Sequence, residues 1–261
     1  MTHAVNHVVV AIDDPCPPWG YPLLVLHEPT IDAGLGFCYE RLPNLLPPGH
    51  HGPLVVALDS SVLVDLQTHG SVLLGGDVPE LGESRYEAEL GALGALIDLW
   101  LMRDIRFVLT PRSTTDSRLP SDEVVARRRV AAAAVDASLF HQFGDWTQPT
   151  PSSSVRPSIG KEVGLRAGPD RDLVLEAQAH GCHVFLTRDR KLLRDVQLSG
   201  PALLVQRPST LLSRLSEAGV GHLVGGTCGL DDCPYQVWPF PVPDTGKWVG
   251  LLSIFGGGAA D

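Results

Sequence analysis

The chain has 261 residues, of which 44% are hydrophobic and 19% are charged, and its formal net charge is −10. This composition supplies enough apolar material for a core, and it excludes global disorder and a coiled coil. No run reaches the roughly 18 consecutive apolar residues that a membrane-spanning helix needs, so we expect no membrane segment. The N-terminus has no basic stretch followed by an apolar one, so we expect a cytoplasmic protein rather than a secreted one.

The charges divide the chain into three parts. Residues 1–53 hold 5 acids and 1 base, residues 54–215 hold 20 acids and 18 bases, and residues 216–261 hold 5 acids and 1 base. Affinity for nucleic acids comes largely from Lys and Arg on phosphates, so any nucleic-acid site in so acidic a chain must be local. We predict an acidic, Pro-rich N-terminal extension, a central α/β domain and an acidic, Gly/Pro-rich C-terminal extension.

The two extensions contain many helix breakers. Nine prolines occur in residues 1–53, which argues against regular helices there. Glycine and proline likewise interrupt the C-terminal extension. Short strands are predicted at residues 8–12, 23–26, 37–39, 235–238 and 248–252.

The central part begins with a continuous apolar run at residues 54–58, which is typical of a strand covered on both faces. Ser60 and Ser61 are candidate N-caps of a short helix that reaches about Gln67.

A second helix is predicted to start at Ser84, with Glu87 as its capping-box partner, and to end near Asp104. The next strand follows at residues 106–109. The later predicted elements are a helix from Ser121, a loop over 149–168, a helix over 170–180, a strand over 183–186, a short helix from Asp189, a strand over 202–205 and a helix from Ser209 to Gly219. Strands that alternate with helices predict a central parallel sheet flanked by helices.

Aspartates occur where these strands end. Asp59 and Asp189 each follow a predicted strand, Asp116 lies a few residues past another, and Asp172 lies in the first turn of the helix before the 183–186 strand. Ligands of open parallel sheets bind at the carboxyl ends of the strands. Clustered carboxylates repel one another unless a cation lies among them, and Mg²⁺ or Mn²⁺ suits such ligands. The pattern predicts a metal site that polarises a phosphoryl group and activates water.

Two segments carry a resemblance to a known family. The run VVALDSSVL at 55–63 resembles the opening motif of PIN-domain nucleases, and DLVLEAQAHGCHVFLTRD at 172–189 resembles their closing signature. That signature is an Asp opening an Ala-rich helix, a Gly, a strand and then Thr-x-Asp. The resemblance covers roughly residues 54–215. It implies a PIN-like α/β fold and a Mg²⁺- or Mn²⁺-dependent endoribonuclease whose hydrolysis leaves a 5′-phosphate.

The resemblance also implies roles for single residues. The family's first, third and fourth acids correspond to Asp59, Asp172 and Asp189, and these would be catalytic metal ligands. The second acid is usually a Glu, and Asp116, which is one methylene shorter, takes its place here. The accessory residues are Ser60, Asp170 and Thr187. In a purely structural alternative, Asp59 and Asp189 are the N-caps of the helices that follow them, and Asp170 is the N-cap of its own helix.

Basic residues flank the last of these acids. Arg188, Arg190, Lys191 and Arg194 are predicted to hold RNA phosphates. The expected partner is therefore RNA, and an antitoxin-like protein partner, as in small toxins of the family, and self-association are compatible with the sequence. The alternative to an enzyme is a catalytically degenerate PIN-like domain that binds RNA or protein.

Five cysteines occupy positions 16, 38, 182, 228 and 233. Without a secretory signal they are expected to be reduced thiols. Cys228 and Cys233, with His222 nearby, form a partial zinc pattern, but the four-residue spacing is at the edge of the usual range and no second pair follows. Cys16, His27 and Cys38 would supply ligands only if the two ends met. We therefore favour buried free thiols over a zinc site.

Overall fold

The computed structural model describes residues 34–110, 168–197 and 203–235, together with residues 123, 126 and 165. Two short strands form an antiparallel pair, and four parallel strands form the central sheet. The strands are β1 (Phe37–Cys38), β2 (His51–Gly52), β3 (Leu54–Leu58), β4 (Ile105–Leu109), β5 (Val184–Leu186) and β6 (Leu204–Gln206). The central sheet has the order β4-β3-β5-β6.

Helices flank this sheet and connect its strands. They are α1 (Ser60–Leu74), α2 (Ser84–Met102), α3 (Pro169–Ala179), α4 (Arg190–Gln197) and α5 (Pro208–Glu217). The predicted α/β class with a parallel sheet is therefore confirmed. Within the described ranges, no helix combines the length and the apolarity needed to cross a bilayer.

Strand β3 is the structural centre, because it pairs with β4 on one side and β5 on the other. All its residues except the half-buried Val55 are buried, which explains the uninterrupted apolar run. Leu58 is level with both Leu109 and Leu186, so three strands end at the same edge. The residues that follow them are thereby brought side by side.

Helix α1 starts and ends differently from the prediction. Its N-cap is Asp59, not Ser60 or Ser61, because the Asp59 side chain accepts a hydrogen bond from the backbone N–H of Ser60 at 2.8 Å. The helix also continues past the predicted end near Gln67.

Packing between helices accounts for that extension. Leu73, in the last turn of α1, is 2% exposed and lies against Gly94 of α2, where a Cβ atom would be 3.5 Å from the Cβ of Leu73. The missing side chain at Gly94 lets the two helices approach closely. Burial of an apolar face stabilises a helix more than local propensity does, so contacts with α2 decide where α1 ends.

The predicted capping box at Ser84 is wrong. Glu83 is the N-cap of α2 and makes no side-chain capping bond. The Glu87 Oε1 instead accepts hydrogen bonds from the N–H groups of Leu81 and Gly82, at 2.6 and 2.8 Å. Glu87 therefore orders the loop before the helix instead of taking part in a capping box with Ser84.

Two further N-cap predictions are also corrected. Helix α3 is capped by Gly168 rather than by Asp170. Arg207 precedes α5, and Ser209 donates its hydroxyl to Glu89 Oε1 at 2.8 Å instead of capping the helix. The Ser209 hydroxyl, which the local pattern assigned to the start of the helix, therefore donates to a carboxylate that is distant in the sequence.

The described parts of both chain ends pack on the α/β body. Phe37, Leu42, Leu45 and Leu46 belong to the same buried cluster as β3 and α2, and so does Val220. The predicted strand at 37–39 is confirmed as β1. The predicted strands at 8–12, 23–26 and 248–252, most of the 235–238 strand, the helix from Ser121 except residues 123 and 126, and most of the 149–168 loop lie outside the described residues.

His183, just before β5, forms a pH-sensitive contact in the sheet. Its Nδ1 accepts the backbone N–H of Val55 at 3.1 Å, and its ring meets the edge of His50 at 4.6 Å between centroids. Desolvation, with the nearby His50 second, lowers the pKa of His183 from 6.5 to about 3. The neutral ring is the form that accepts the Val55 hydrogen bond.

We expect this histidine to make folding stability depend on pH. The folded pKa is below the unfolded one, so the contribution of His183 is complete above about pH 6.5 and is lost as the pH falls towards about 3. One linked proton corresponds to about 1.4 kcal/mol per pH unit. Urea unfolding of the protein and of His183→Asn, whose amide oxygen also accepts the Val55 N–H, measures the effect between pH 6 and 4. In the variant, the unfolding free energy should change by about 1.4 kcal/mol less per pH unit than in the parent protein. Equal slopes for the two proteins would contradict the low pKa assigned to His183.

Candidate active site at the carboxyl edge of the sheet

Asp59 and Thr187 lie next to each other because β3 and β5 end together. The backbone N–H of Asp59 donates to Leu186 O at 3.0 Å, and the Thr187 hydroxyl donates to Asp59 Oδ2 at 2.8 Å. Asp59 is 7% exposed, and Thr187 is fully buried. The parallel pairing thus joins two predicted site residues that are 128 positions apart.

The Asp59 carboxylate is held by donors on several sides. Besides the Thr187 bond, Oδ2 accepts the Ser61 hydroxyl at 2.7 Å. Oδ1 accepts the Ser60 N–H at 2.8 Å, while the Ser60 hydroxyl is 3.4 Å away. Asp59 is therefore the N-cap of α1, as the structural alternative predicted, and its carboxylate is also held in one orientation at the sheet edge.

Asp189 is linked to this carboxylate through Thr187. The Thr187 hydroxyl oxygen accepts the N–H of Asp189 at 3.0 Å. The Asp189 Oδ1 accepts the N–H groups of Lys191 and Leu192 at 2.7 and 3.1 Å, so this exposed aspartate caps α4. One hydroxyl thereby connects the two aspartates.

The start of α3 lies near the start of α4. Lys191 Nζ contacts Asp170 Oδ2 at 3.3 Å, which brings the first turn of α3, with the half-buried Asp172, to this edge. In the described part of the chain, the side chains gathered into a group of three or more candidate metal ligands do not include Asp59, Asp172 or Asp189. Asp116 lies outside the described residues.

A buried ion pair adjoins the site, and the sequence did not indicate it. Asp65 of α1 is 2% exposed and forms an ion pair with Arg188, whose Nη2 is 2.8 Å from Asp65 Oδ1. The Tyr86 hydroxyl donates to the same oxygen at 2.7 Å, and the Arg188 guanidinium lies 4.4 Å above the Tyr86 ring. Burial raises the pKa of Asp65, while Tyr86 and Arg188 oppose that rise. The one indication of this ion pair in the sequence was an acidic residue, Asp65, within the apolar pattern of α1.

Arg188 also lines a cavity of about 260 Å³, called the arginine cavity below. Its lining residues are Glu83, Arg85, Tyr86, Glu89, Arg188, Arg190 and Arg207. The Arg188 N–H donates to the Ser61 hydroxyl at 3.3 Å, and Ser61 donates to Asp59, so the cavity adjoins the aspartate site. Arg188 is paired with Asp65, and Arg190 is paired with Glu83 at 3.8 Å. Counting Asp65 with the two glutamates, the four arginines leave one positive charge in excess.

The predicted phosphate-binding residues divide into two groups. Arg188 and Arg190 line the arginine cavity. Lys191 contacts Asp170, and Arg194 contacts its neighbour Asp195 at 3.2 Å on the surface of α4. Arg85 and Arg207, which the sequence did not single out, line the cavity from α2 and from the residue before α5. Neither residue belongs to the segment that flanks Asp189, so the sequence analysis did not connect them with the site.

Comparison of the chain with protein-family models, with curated proteins and with solved structures found no match in any of the three. The parallel α/β architecture is therefore what the structure establishes. The PIN-like assignment stays a prediction.

Proposed function

We propose that the chain is a divalent-metal-dependent endoribonuclease of PIN type, with Asp59 at the centre of its site. One observation carries the proposal. A buried carboxylate follows the central strand, is held by the Thr187 hydroxyl from the neighbouring strand, and adjoins the arginine cavity through Ser61 and Arg188. Metal-dependent hydrolysis of a phosphodiester uses oriented acidic oxygens to hold the ion and cationic groups to stabilise the phosphoryl charge, and this edge of the sheet offers both kinds of group.

The chemical type of the donors at this edge, carboxylate and hydroxyl oxygen, suits Mg²⁺ or Mn²⁺, because these hard cations prefer oxygen ligands. Asp59 Oδ1 has one short hydrogen bond, so it retains capacity for a second partner. Asp59, Asp172 and Asp189, with Asp116, would hold the ion. When bound, the ion supplies a water of lowered pKa and compensates the charge on the leaving oxygen.

The chain's own residues position the RNA. Thr187 and Ser61 fix the direction of the Asp59 carboxylate. Asp65 and Tyr86 hold Arg188 in one orientation, which lowers the conformational cost of binding a phosphate. The guanidinium groups of the arginine cavity then place the RNA backbone beside Asp59 by charge-assisted hydrogen bonds.

Cleavage of a labelled single-stranded RNA tests the proposal. We expect cleavage with Mn²⁺ or Mg²⁺, suppression by a chelator, restoration when Mn²⁺ is added back, and products with 5′-phosphate ends. A folded protein that cuts no RNA with either ion would contradict an enzymatic role.

A second candidate is a non-catalytic module that binds RNA or protein. Asp189 is used as a helix cap, and Asp59, Asp172 and Asp189 are not gathered into one ligand group, which favours this alternative. RNA binding at the arginine cavity without cleavage would identify it.

Replacing cavity arginines should weaken RNA binding. We expect the double variant Arg85→Gln/Arg207→Gln to raise the dissociation constant for single-stranded RNA by about tenfold. The slope of the logarithm of the association constant against the logarithm of the salt concentration is negative. Its magnitude should fall by about 0.7 for each phosphate that the variant no longer neutralises. Fluorescence anisotropy at several salt concentrations measures both. The double variant Arg41→Gln/Arg214→Gln is the matched control, because it removes the same charge and neither residue lines the cavity. Equal effects of the two variants would place the RNA elsewhere.

A further inference from the structure

Four potential metal ligands meet away from the proposed active site. The ligand atoms of Cys38, His51, Cys228 and Cys233 all lie within 4.8 Å of one another. The Cys38 Sγ is 3.6 Å from the Cys233 Sγ and 3.7 Å from His51 Nδ1. The Cys228 Sγ is 3.9 Å from the same His51 nitrogen.

Strand pairing and one loop bring these residues together. Cys38 and His51 are direct partners in the antiparallel pair of β1 and β2. The N–H of Cys38 donates to Gly226 O at 2.7 Å, which attaches the C-terminal loop to β1. The N–H of Cys233 closes a turn onto Leu230 O at 2.9 Å. Each ligand pair comes from one local structure, and backbone hydrogen bonds join the two pairs.

The distances fit four ligands around a single tetrahedral ion. Zn–S bonds of about 2.3 Å and Zn–N bonds of about 2.0 Å place sulfur atoms about 3.8 Å apart and sulfur about 3.5 Å from nitrogen. The observed 3.6, 3.7 and 3.9 Å agree with these values. A disulfide needs a sulfur separation of about 2.05 Å, and all three cysteines are free thiols.

The surroundings of the ligands also suit a cation. The His51 Nε2 faces Glu40 Oε2 at 3.7 Å, so its other nitrogen is directed towards the thiols, as carboxylates orient metal-bound histidines. The backbone N–H of Cys228 donates to the Cys38 sulfur, and the backbone N–H of Tyr235 donates to the Cys233 sulfur.

We propose that Cys38, His51, Cys228 and Cys233 form a structural zinc site. Cys38 and Cys233 are buried, and four protein ligands leave no open coordination position, as in structural rather than catalytic zinc sites. His51 lies just before β3, whereas Asp59 lies just after it, so this site is at the opposite edge of the sheet from the proposed active site. The ion joins residues 38–51 to residues 228–233, two segments from distant parts of the chain.

Metal analysis and cobalt substitution of the full chain test the site without reference to RNA. We expect about one zinc ion per chain after purification, and a tetrahedral cobalt–thiolate absorption spectrum when Co²⁺ replaces zinc. Chelation should lower the melting temperature, since binding free energy of a structural ion is folding free energy. Protein without zinc that also gives no thiolate spectrum with Co²⁺, or a Cys38–Cys233 disulfide in the purified chain, would overturn the proposal.

Matched variants separate the ligands from other thiols. Cys228→Ser, at a half-buried position, and His51→Ala should lower the zinc content to below about 0.2 per chain, while His51→Cys should retain zinc and shift the cobalt spectrum. Cys182→Ala is the control, because this buried free cysteine belongs to a separate core cluster. Unchanged zinc content in both the Cys228 and His51→Ala variants would contradict the ligand assignment even if one variant folds poorly.

Discussion

Substitution of Asp59 by asparagine is expected to lower RNA cleavage by about 10²-fold or more while sparing the fold. Asparagine is as good an N-cap as aspartate, so the bond from the Ser60 N–H to Oδ1 is retained. The hydroxyls of Ser61 and Thr187, which donate to Oδ2, are able to rotate and accept from the amide instead. The negative charge that would hold the metal is lost.

Single-turnover cleavage with Mn²⁺ and thermal unfolding of the same preparations measure the two parts of this prediction. Asp77→Asn is the control, because Asp77 is exposed in the loop after α1. Parent-like cleavage by the Asp59 variant would remove Asp59 from the site. A large loss of stability would show that its role at the helix start outweighs any role in the site.

Replacement of Arg103 by methionine is expected to destabilise the protein by about 3–5 kcal/mol. Arg103 follows α2 and is fully buried, with its guanidinium 4.8 Å from the Phe37 ring centroid. It donates to Gly36 O at 3.1 Å, Gly225 O at 2.8 Å, Val224 O at 3.2 Å and Gly221 O at 3.3 Å. Methionine fills much of the volume but leaves these carbonyl groups without their donors.

The space around the Arg103 guanidinium is limited, which strengthens the expectation that replacing Arg103 destabilises the protein. A Cβ at Gly226 would collide with the Arg103 Nη2, so the loop is shaped closely around this side chain. Burial lowers the Arg103 pKa to about 10, and the group therefore stays charged at neutral pH. The side chain joins the residues near β1 to the 221–226 loop by hydrogen bonds that no apolar residue reproduces.

Urea unfolding followed by circular dichroism measures the Arg103 effect. Arg194→Met on the surface of α4 is the control and should change stability by no more than about 0.5 kcal/mol. Arg103→Lys retains the charge with fewer donors, so it should give an intermediate loss. Stability of Arg103→Met within the range of the control would mean that these carbonyls find other partners.

Several elements were predictable because their signals are local. The apolar run of β3 and the end of α3 before Gly181, which has a φ of 70°, are read from a few consecutive residues. The placement of Asp59 and Thr187 at one edge also followed from strands that alternate with helices. These inferences need only periodicity, residue preference and the rule for parallel sheets.

Helix starts were less predictable because several acceptors compete for the same donors. Glu87 and Ser209 have the residue types expected at helix starts, but their partners are the 81–82 loop and Glu89. A hydrogen bond forms where the tertiary structure brings a donor and an acceptor together. The local sequence does not show which distant groups will be close in space.

The local sequence was sufficient for β1, for the four strands of the central sheet, for most helices and for the acids after β3 and β5, but it gave no signal for β2. The Arg188–Asp65 pair, the arginine cavity and the group around Cys38 arise from contacts between residues more than 100 positions apart. Sheet order and helix packing create these contacts, and spacing along the chain does not record them. For that reason Cys228 and Cys233 by themselves indicated free thiols, whereas β1 and β2 bring Cys38 and His51 close to them and so supply the two further ligands of the proposed zinc site.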